Sequence, residues 1–328
     1  MKKFFISHVS ALLLFAFCVL GILAGLVFGS KTLSFQIVWD YFFSVTDSYS
    51  ALVVDYRVPR TIGALLCGLS LGLATALIQG LTRNPLGDTG LLGVNAGASA
   101  AVVTVLLFPS WSISPFFAAF LGATLVVIII TAVGKSKRHF NHARLILMGA
   151  AISACLYAYV QAISQLDPNL FEQYRYWASG SLAGVALDEI KSLLPYLIIL
   201  SVIGVALGKH INIIALGTDF AKSLGTNVFL IQSLAILVAS ALSAITVAWV
   251  GPIAFVGLGA VHLARLAVGS DYRKLLFFSM LTGASLLLFS DVLARVLIRP
   301  SELPTGIVTG LLGAPLLYFG ILRNKRHT

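Results

Sequence analysis

Long apolar stretches, not alternation, set the pattern of this chain. Intervals free of Lys, Arg, Asp and Glu run over 4–30, 61–82, 89–134, 145–166, 192–208, 223–264, 275–290 and 303–322. One crossing of a hydrocarbon layer about 30 Å thick takes about 20 residues at about 1.5 Å each. The 46-residue and 42-residue intervals are therefore each two crossings. Their natural breaks are Pro109-Ser110-Trp111-Ser112-Ile113-Ser114-Pro115 and Gly251-Pro252, where prolines and glycines interrupt the helix. The pattern predicts an all-α polytopic membrane protein with ten transmembrane helices, folded as a single domain over residues 1–328. A β-barrel would need alternating segments of about ten residues, and the runs do not alternate.

The stretch from Arg57 to Gly97 organises the rest. Arg57 and Arg60 open it, 22 uncharged residues follow, and Asn84-Pro85-Leu86-Gly87-Asp88-Thr89-Gly90 turns the chain into a second apolar helix near Leu91. This is a predicted helical hairpin. Its turn has an echo: Asn84-Pro85-Leu86 and then Gly90-Leu91 match Gly251-Pro252-Ile253 and then Gly257-Leu258 at the same spacing. The two breaks fall on opposite faces of the predicted topology, as an inverted internal repeat requires.

Composition agrees with lipid as the solvent. The chain is 59% hydrophobic and 10% charged, with a mean hydropathy of +0.98, whereas soluble domains carry about 25% charged residues. The net charge of +10 is distributed by side. With ten spans and both termini in the cytoplasm, fifteen basic residues face three acids inside, and seven face nine outside. The basic balance thus reports topology and predicts no nucleic-acid partner. Cys18, Cys67 and Cys155 lie in apolar runs without CxxC spacing, so they are expected to be packing residues and no metal site is indicated. Met1-Lys2-Lys3 and its apolar run imitate a secretory signal but lack a cleavage site, and are read as a retained first helix.

Between the spans, residues 32–56 form a long periplasmic connection in which Phe35, Trp39, Phe42 and Phe43 recur at helical spacing, suiting an interfacial helix. A second external segment covers 167–191. On the inside, Lys135 to Arg144 is short and basic, a topology signal. The 209–227 loop differs: Thr218 or Asp219 could cap a short helix that Gly225 ends. That helix is either a docking knob for a cytoplasmic partner or a surface helix on the bilayer.

Candidate chemistry is sparse. Gly134-Lys135-Ser136 imitates the end of a P-loop, but Ile129 stands where its first glycine is required. No acid occupies the middle of a predicted span, which argues against a proton-coupled secondary transporter. Asp291 and Arg295, four apart, are expected to pair on one helix face. Arg57, Arg60, Arg295 and Arg299 run against the inward bias of the other cations, either to dock an acidic partner or to anchor lipid headgroups.

These motifs resemble the FecCD-type permeases, the membrane subunits of ABC importers for iron–siderophore complexes, haem and cobalamin. The similarity rests on R-x-P-R at 57–60, Q-G-L-T-R-N-P-L at 79–86, G-L-L-G at 90–93, W-x-x-G-S at 177–181 and A-L-G-x-x-x-A-x-x-L-G at 215–225. It continues through G-P-I-x-F-V-G-L at 251–258, D-V-L-A-R at 291–295, E-L-P-T-G at 302–306 and L-G-A-P at 312–315. Val261-His262 departs from the family, which commonly has proline before that histidine.

The resemblance implies no cofactor and no catalytic residue of the chain's own. It implies a second permease subunit, identical or related, two cytoplasmic ATPase subunits and a periplasmic substrate-binding protein. Leu216, Gly217, Asp219, Ala221, Leu224 and Gly225 then become candidates for ATPase coupling, and Arg57, Arg60, Arg295 and Arg299 for binding-protein docking. The translocation path is expected along the fifth span, at Ser153, Tyr157, Gln161 and Gln165.

Overall fold

The computed structural model describes residues 2–43, 49–136, 139–140 and 142–324. Its helices are α1 (Lys2–Val27), α2 (Phe35–Phe43), α3 (Tyr49–Thr82), α4 (Val94–Leu107), α5 (Pro115–Gly134), α6 (His142–Ser164) and α7 (Pro168–Ala178). They continue as α8 (Leu187–Ala206), α9 (Gly208–Ala215), α10 (Thr218–Ser223), α11 (Val228–Val250), α12 (Val256–Val268), α13 (Tyr272–Val296) and α14 (Thr305–Asn324). A two-residue antiparallel pairing, Lys135–Ser136 with His139–Phe140, closes the connection between α5 and α6. That connection and the 32–56 segment each include residues outside those described.

Among the described residues, seven helices are long and apolar enough to cross a membrane: α1, α3, α5, α6, α8, α11 and α13. Three more apolar segments are shorter, in α4, α12 and α14. Each of the ten overlaps a charge-free stretch of the sequence, and α3 and α13 run well past theirs. α3 starts eight residues before Arg57, and α13 carries Asp291 and Arg295 inside it. Charged residues can enter a helix buried in protein when partners on neighbouring helices satisfy them; those partners are described below.

The turn after α3 forms as expected. Gly87 N donates to Asn84 O at 2.9 Å, and Leu86 N to the Asn84 side-chain oxygen. Asp88 then caps a 3-10 turn over Thr89–Leu92, and α4 begins one residue after Gly93, which holds a φ of +71°. The matching break sits between α11 and α12, where Gly251 has a φ of +76°, a conformation open to glycine.

α3 and α13 form the centre. A Cβ at Gly72 would stand 2.0 Å from Ser279 O, and one at Gly68 would stand 2.5 Å from Gly283 O, so backbone packs on backbone as small-residue spacing in lipid permits. Around this pair α3 also meets α11 and α12, and α11 meets α4 and α5. α4 packs on α5 and α6, while α12 packs on α13 and α14. Burial separates centre from rim: 78% of the apolar stretch of α3 is buried, against 11% of α6. Cys18 and Cys67 pack in the interior, whereas Cys155 is exposed on the open face of α6, contrary to the packing role expected for it.

Candidate functional site

At the Arg60 end of the α3–α13 pair lies a charge cluster. Arg60 Nε reaches Asp291 Oδ1 at 3.0 Å and Oδ2 at 3.1 Å, and its Nη1 reaches Glu302 Oε2 at 2.5 Å. Asp291 also receives Arg295 Nη2 at 3.0 Å and the Thr305 hydroxyl at 3.0 Å. The Asp291–Arg295 pair expected from i,i+4 spacing is therefore present, but as part of a larger unit joining α3, α13 and α14.

Two of the arginines also terminate α1. Arg57 Nη1 donates to the carbonyls of Leu26 and Val27 at 2.9 Å each, and its Nη2 donates to Lys31 O. Arg295 Nη1 donates to Gly25 O at 2.9 Å. The last carbonyls of a helix lack partners in the helix and carry the negative end of its dipole, so cations are stabilised there. This offsets the excess of three arginines over two carboxylates. Gly29 makes room, since a Cβ there would stand 2.6 Å from Arg57 Nη2.

The consequence is burial. Arg57, Arg60 and Arg295 are 6%, 8% and 2% exposed, and Asp291 1%. Three of the four arginines named as docking candidates thus spend their donors inside this chain, while Arg299 is exposed on the surface above them. Glu302 is the other surface member, with about a third of its side chain exposed. Nearby, the Tyr41 hydroxyl on α2 donates to Asp55 Oδ1 at 2.9 Å; that carboxylate, and then burial, raise its pKa above the ordinary phenol value.

At the opposite end of α3, a second group of residues surrounds α10. Gly217 holds a φ of +142° and supplies the helix N-cap without a side-chain bond, so neither Thr218 nor Asp219 takes the capping place expected for them. Both lie inside the helix instead, and Asp219 pairs with Lys222 at 3.3 Å on its exposed surface. Gly225, with a φ of +74° and open space around it, does end the helix.

Ala221 is fully buried in a cluster with Ile214 and Val228. Leu216, Phe220 and Leu224 face the other way and are 74%, 52% and 58% exposed. Phe220 and Leu224, four apart along α10 and its C-cap, with Leu216 just before the helix, make an exposed apolar ridge, seated by Ala221. Arg83 ties this region to the hairpin turn by donating to Ile214 O.

Polar side chains also link the hairpin turn and the last turns of α3 and α12 to the core near this end. Thr75 donates to Asp88 Oδ1 at 2.8 Å, the Thr89 and Ser243 hydroxyls are 2.8 Å apart, and Arg265 Nη2 donates to Gln79 Oε1 at 3.0 Å.

On α6, Tyr157 and Gln161 are exposed on one face, and Gln165 is exposed just beyond the helix end. Ser153 is half-buried, with its hydroxyl 3.5 Å from the point a Cβ at Gly93 would occupy. The arginine cluster, α10 and the α6 face are three separate places, and the long helices connect them. Sequence reasoning passed over Glu302 and Thr305, although both stand in E-L-P-T-G. The available signal was an acid in a segment that the charge pattern reads as external and that already holds Arg295 and Arg299 nearby.

A bundle of membrane-length helices centred on the α3–α13 pair, with a paired charge cluster at one end and an apolar ridge at the other, is the architecture of a polytopic membrane protein. Residues 15–323 match the FecCD transport family, and the chain belongs to it. It is 39% identical over 305 residues to the ferric enterobactin transport system permease protein FepD of Escherichia coli (strain K12), covering 92% of this chain and 91% of that one. It is 34% identical over 307 residues to the hemin transport system permease protein HmuU of Yersinia pestis, with 91% of each covered. The fold superposes on an inward-facing metal-chelate type ABC transporter with a TM-score of 0.82 and 28% identity, over 95% of this chain and 97% of that one.

Proposed function

We propose that the chain is the membrane permease subunit of an ATP-driven, binding-protein-dependent importer for an iron(III)–siderophore complex, working by alternating access between two permeases. The observation that carries this reading is the family match over nearly the whole chain. The ferric enterobactin relative stands at 39% identity and the hemin relative at 34%, which favours a siderophore over haem or cobalamin as cargo. The chain is a transport subunit, and a separate ATPase hydrolyses ATP.

The seven long helices with α4, α12 and α14 make ten spans, the termini lying in the cytoplasm. The broken regions beside α4 and α12 complete their crossings, which irregular backbone can do where protein buries it. The reciprocal packing of α3 on α12 and α13, and of α11 on α4 and α5, supports an inverted repeat of α3–α6 and α11–α14. In this orientation the arginine cluster faces the periplasm and α10 the cytoplasm.

The ridge of Leu216, Phe220 and Leu224 enters a cleft on the ATPase, with Gly217, Asp219, Ala221 and Gly225 fixing its shape. The polar stripe at Tyr157, Gln161 and Gln165 is costly against lipid. A second permease covers it, and the cargo passes along it with Ser153. Outside, Arg299 offers an exposed cation to acidic residues of the loaded binding protein. Arg57, Arg60 and Arg295 hold the docking platform together from within.

Docking is tested by titrating the loaded binding protein onto vesicles that carry the assembled transporter. Arg299→Glu is expected to weaken binding about tenfold at low salt, with the difference shrinking as salt rises, as for a rim charge. Unchanged binding at every salt concentration would remove Arg299 from the docking surface.

A further inference from the structure

Between α10 and the membrane helices stands α9, and its contacts differ in kind from those of the ridge. Asn212 spends both ends of its amide on the turn that opens α13. Its Nδ2 donates to Asp271 Oδ1 at 2.6 Å, and its Oδ1 accepts from Tyr272 N at 2.8 Å. A carboxylate can only accept and a backbone N–H only donate, so the amide has one way round. Asp271 in turn caps α13 by accepting from Arg273 N at 3.0 Å.

The same helix is wedged between α3 and α13 with no slack. A Cβ at Gly80 would stand 2.5 Å from Ile211 and 2.8 Å from the Tyr272 ring, and one at Gly208 would stand 3.0 Å from Tyr272 O. Ile211 is fully buried and Tyr272 nearly so. On the other flank, the Arg83 bond to Ile214 O holds the end of α3 to the last turn of α9. α9 is therefore gripped by both central helices.

Those helices are joined at three levels: the close backbone contacts at Gly72 and Gly68 and then the Arg60–Asp291 pair oppose sliding of one past the other. From Gly80 to Arg60 the rod is about 30 Å long.

We propose that Asn212 is the positioning residue of a transmission clamp. Displacement of α10 turns α9, and Asn212 passes that turn to the head of α13. The locked α3–α13 pair then carries it to the outer arginine cluster. The inference rests on the reading of α10 as the ATPase-coupling helix.

The test uses this chain assembled with its ATPase and binding protein in proteoliposomes. Asn212→Asp sets two carboxylates against each other, and Asp271→Asn added to it restores a donor facing the introduced carboxylate while keeping an oxygen to cap α13. The single variant is expected to keep the ATPase bound while uptake falls about tenfold, and the double variant to return uptake to within about threefold of the unaltered chain, the coupling of two residues in direct contact. Full uptake by the single variant, or no recovery in the double variant, would overturn the clamp. Loss of the ATPase from the single variant alone would assign Asn212 to assembly and overturn it too. An unaltered chain that retains no ATPase would sink the coupling reading beneath it.

Discussion

Asp291→Ala is expected to leave little correctly folded protein in the membrane. Asp291 is 1% exposed and receives Arg60, Arg295 and Thr305. Removing it leaves the buried Arg295 without a carboxylate and Arg60 with only the surface Glu302, and leaving one charge of a buried pair without its partner costs about 3–5 kcal/mol. Glu302 cannot compensate, because it already bonds Arg60 Nη1 and lies at the surface. Thr305→Val is the control, since it removes one neutral donor from a carboxylate that retains both arginines, a loss of about 1–2 kcal/mol. Unfolding temperatures in detergent, read as loss of monodisperse protein on heating, should fall steeply for Asp291→Ala and slightly for Thr305→Val. Equal stability of the two variants would show that the cluster is not what joins α3, α13 and α14.

The second large effect is expected at α10. Phe220→Asp combined with Leu224→Asp puts charge on an apolar ridge that makes few contacts within this chain, so folding and membrane insertion should be unaffected. Association should not survive, because central apolar contacts of an interface are worth about 2 kcal/mol or more each. Together they predict at least about a hundredfold weaker retention of the ATPase, measured by copurification and by the ATPase concentration needed to restore uptake. Ala221→Trp should act by a different route. Ala221 fills a closed site against Ile214 and Val228, so the larger ring must push the whole helix off its seat. A double aspartate variant that holds its ATPase as tightly as the unaltered chain would return α10 to the surface-helix reading.

The sequence made the helices legible because each span is a long apolar run, and lipid allows little else. The hairpin turn was legible because Asn84, Pro85 and Gly87 have local roles within four residues. Gly68 and Gly72 stand four apart, the small-residue spacing that permits close helix packing in lipid, but nothing in the sequence names their partners on α13. What stayed hidden depends on contacts between distant residues. Arg60 and Asp291 are 231 apart, so a charge scan paired Asp291 with Arg295 alone and gave Arg60 to an outside partner or lipid headgroups. Once paired they sit inside helices, and α3 and α13 extend past the limits that the charges suggested. Arg57 is spent on the end of α1 for the same reason: helix C-terminal carbonyls attract a guanidinium wherever the fold brings one. Asn212 bridges 59 residues to Asp271 and carries no pattern that a linear reading could weigh. At α10 the spacing correctly marked a short helix, but Ala221 was grouped with the contact residues because only a structure separates the seat from the ridge.

In the proposed mechanism these parts form one path: ATPase, α10, α9, the α3–α13 rod and the arginine cluster. The most direct measurement of it is uptake of a radioactive iron(III)–siderophore complex into proteoliposomes holding this chain, its ATPase and its binding protein. The expected result is accumulation that requires ATP and the binding protein and is indifferent to a proton ionophore. Accumulation that proceeds without ATP and collapses with the ionophore would contradict it.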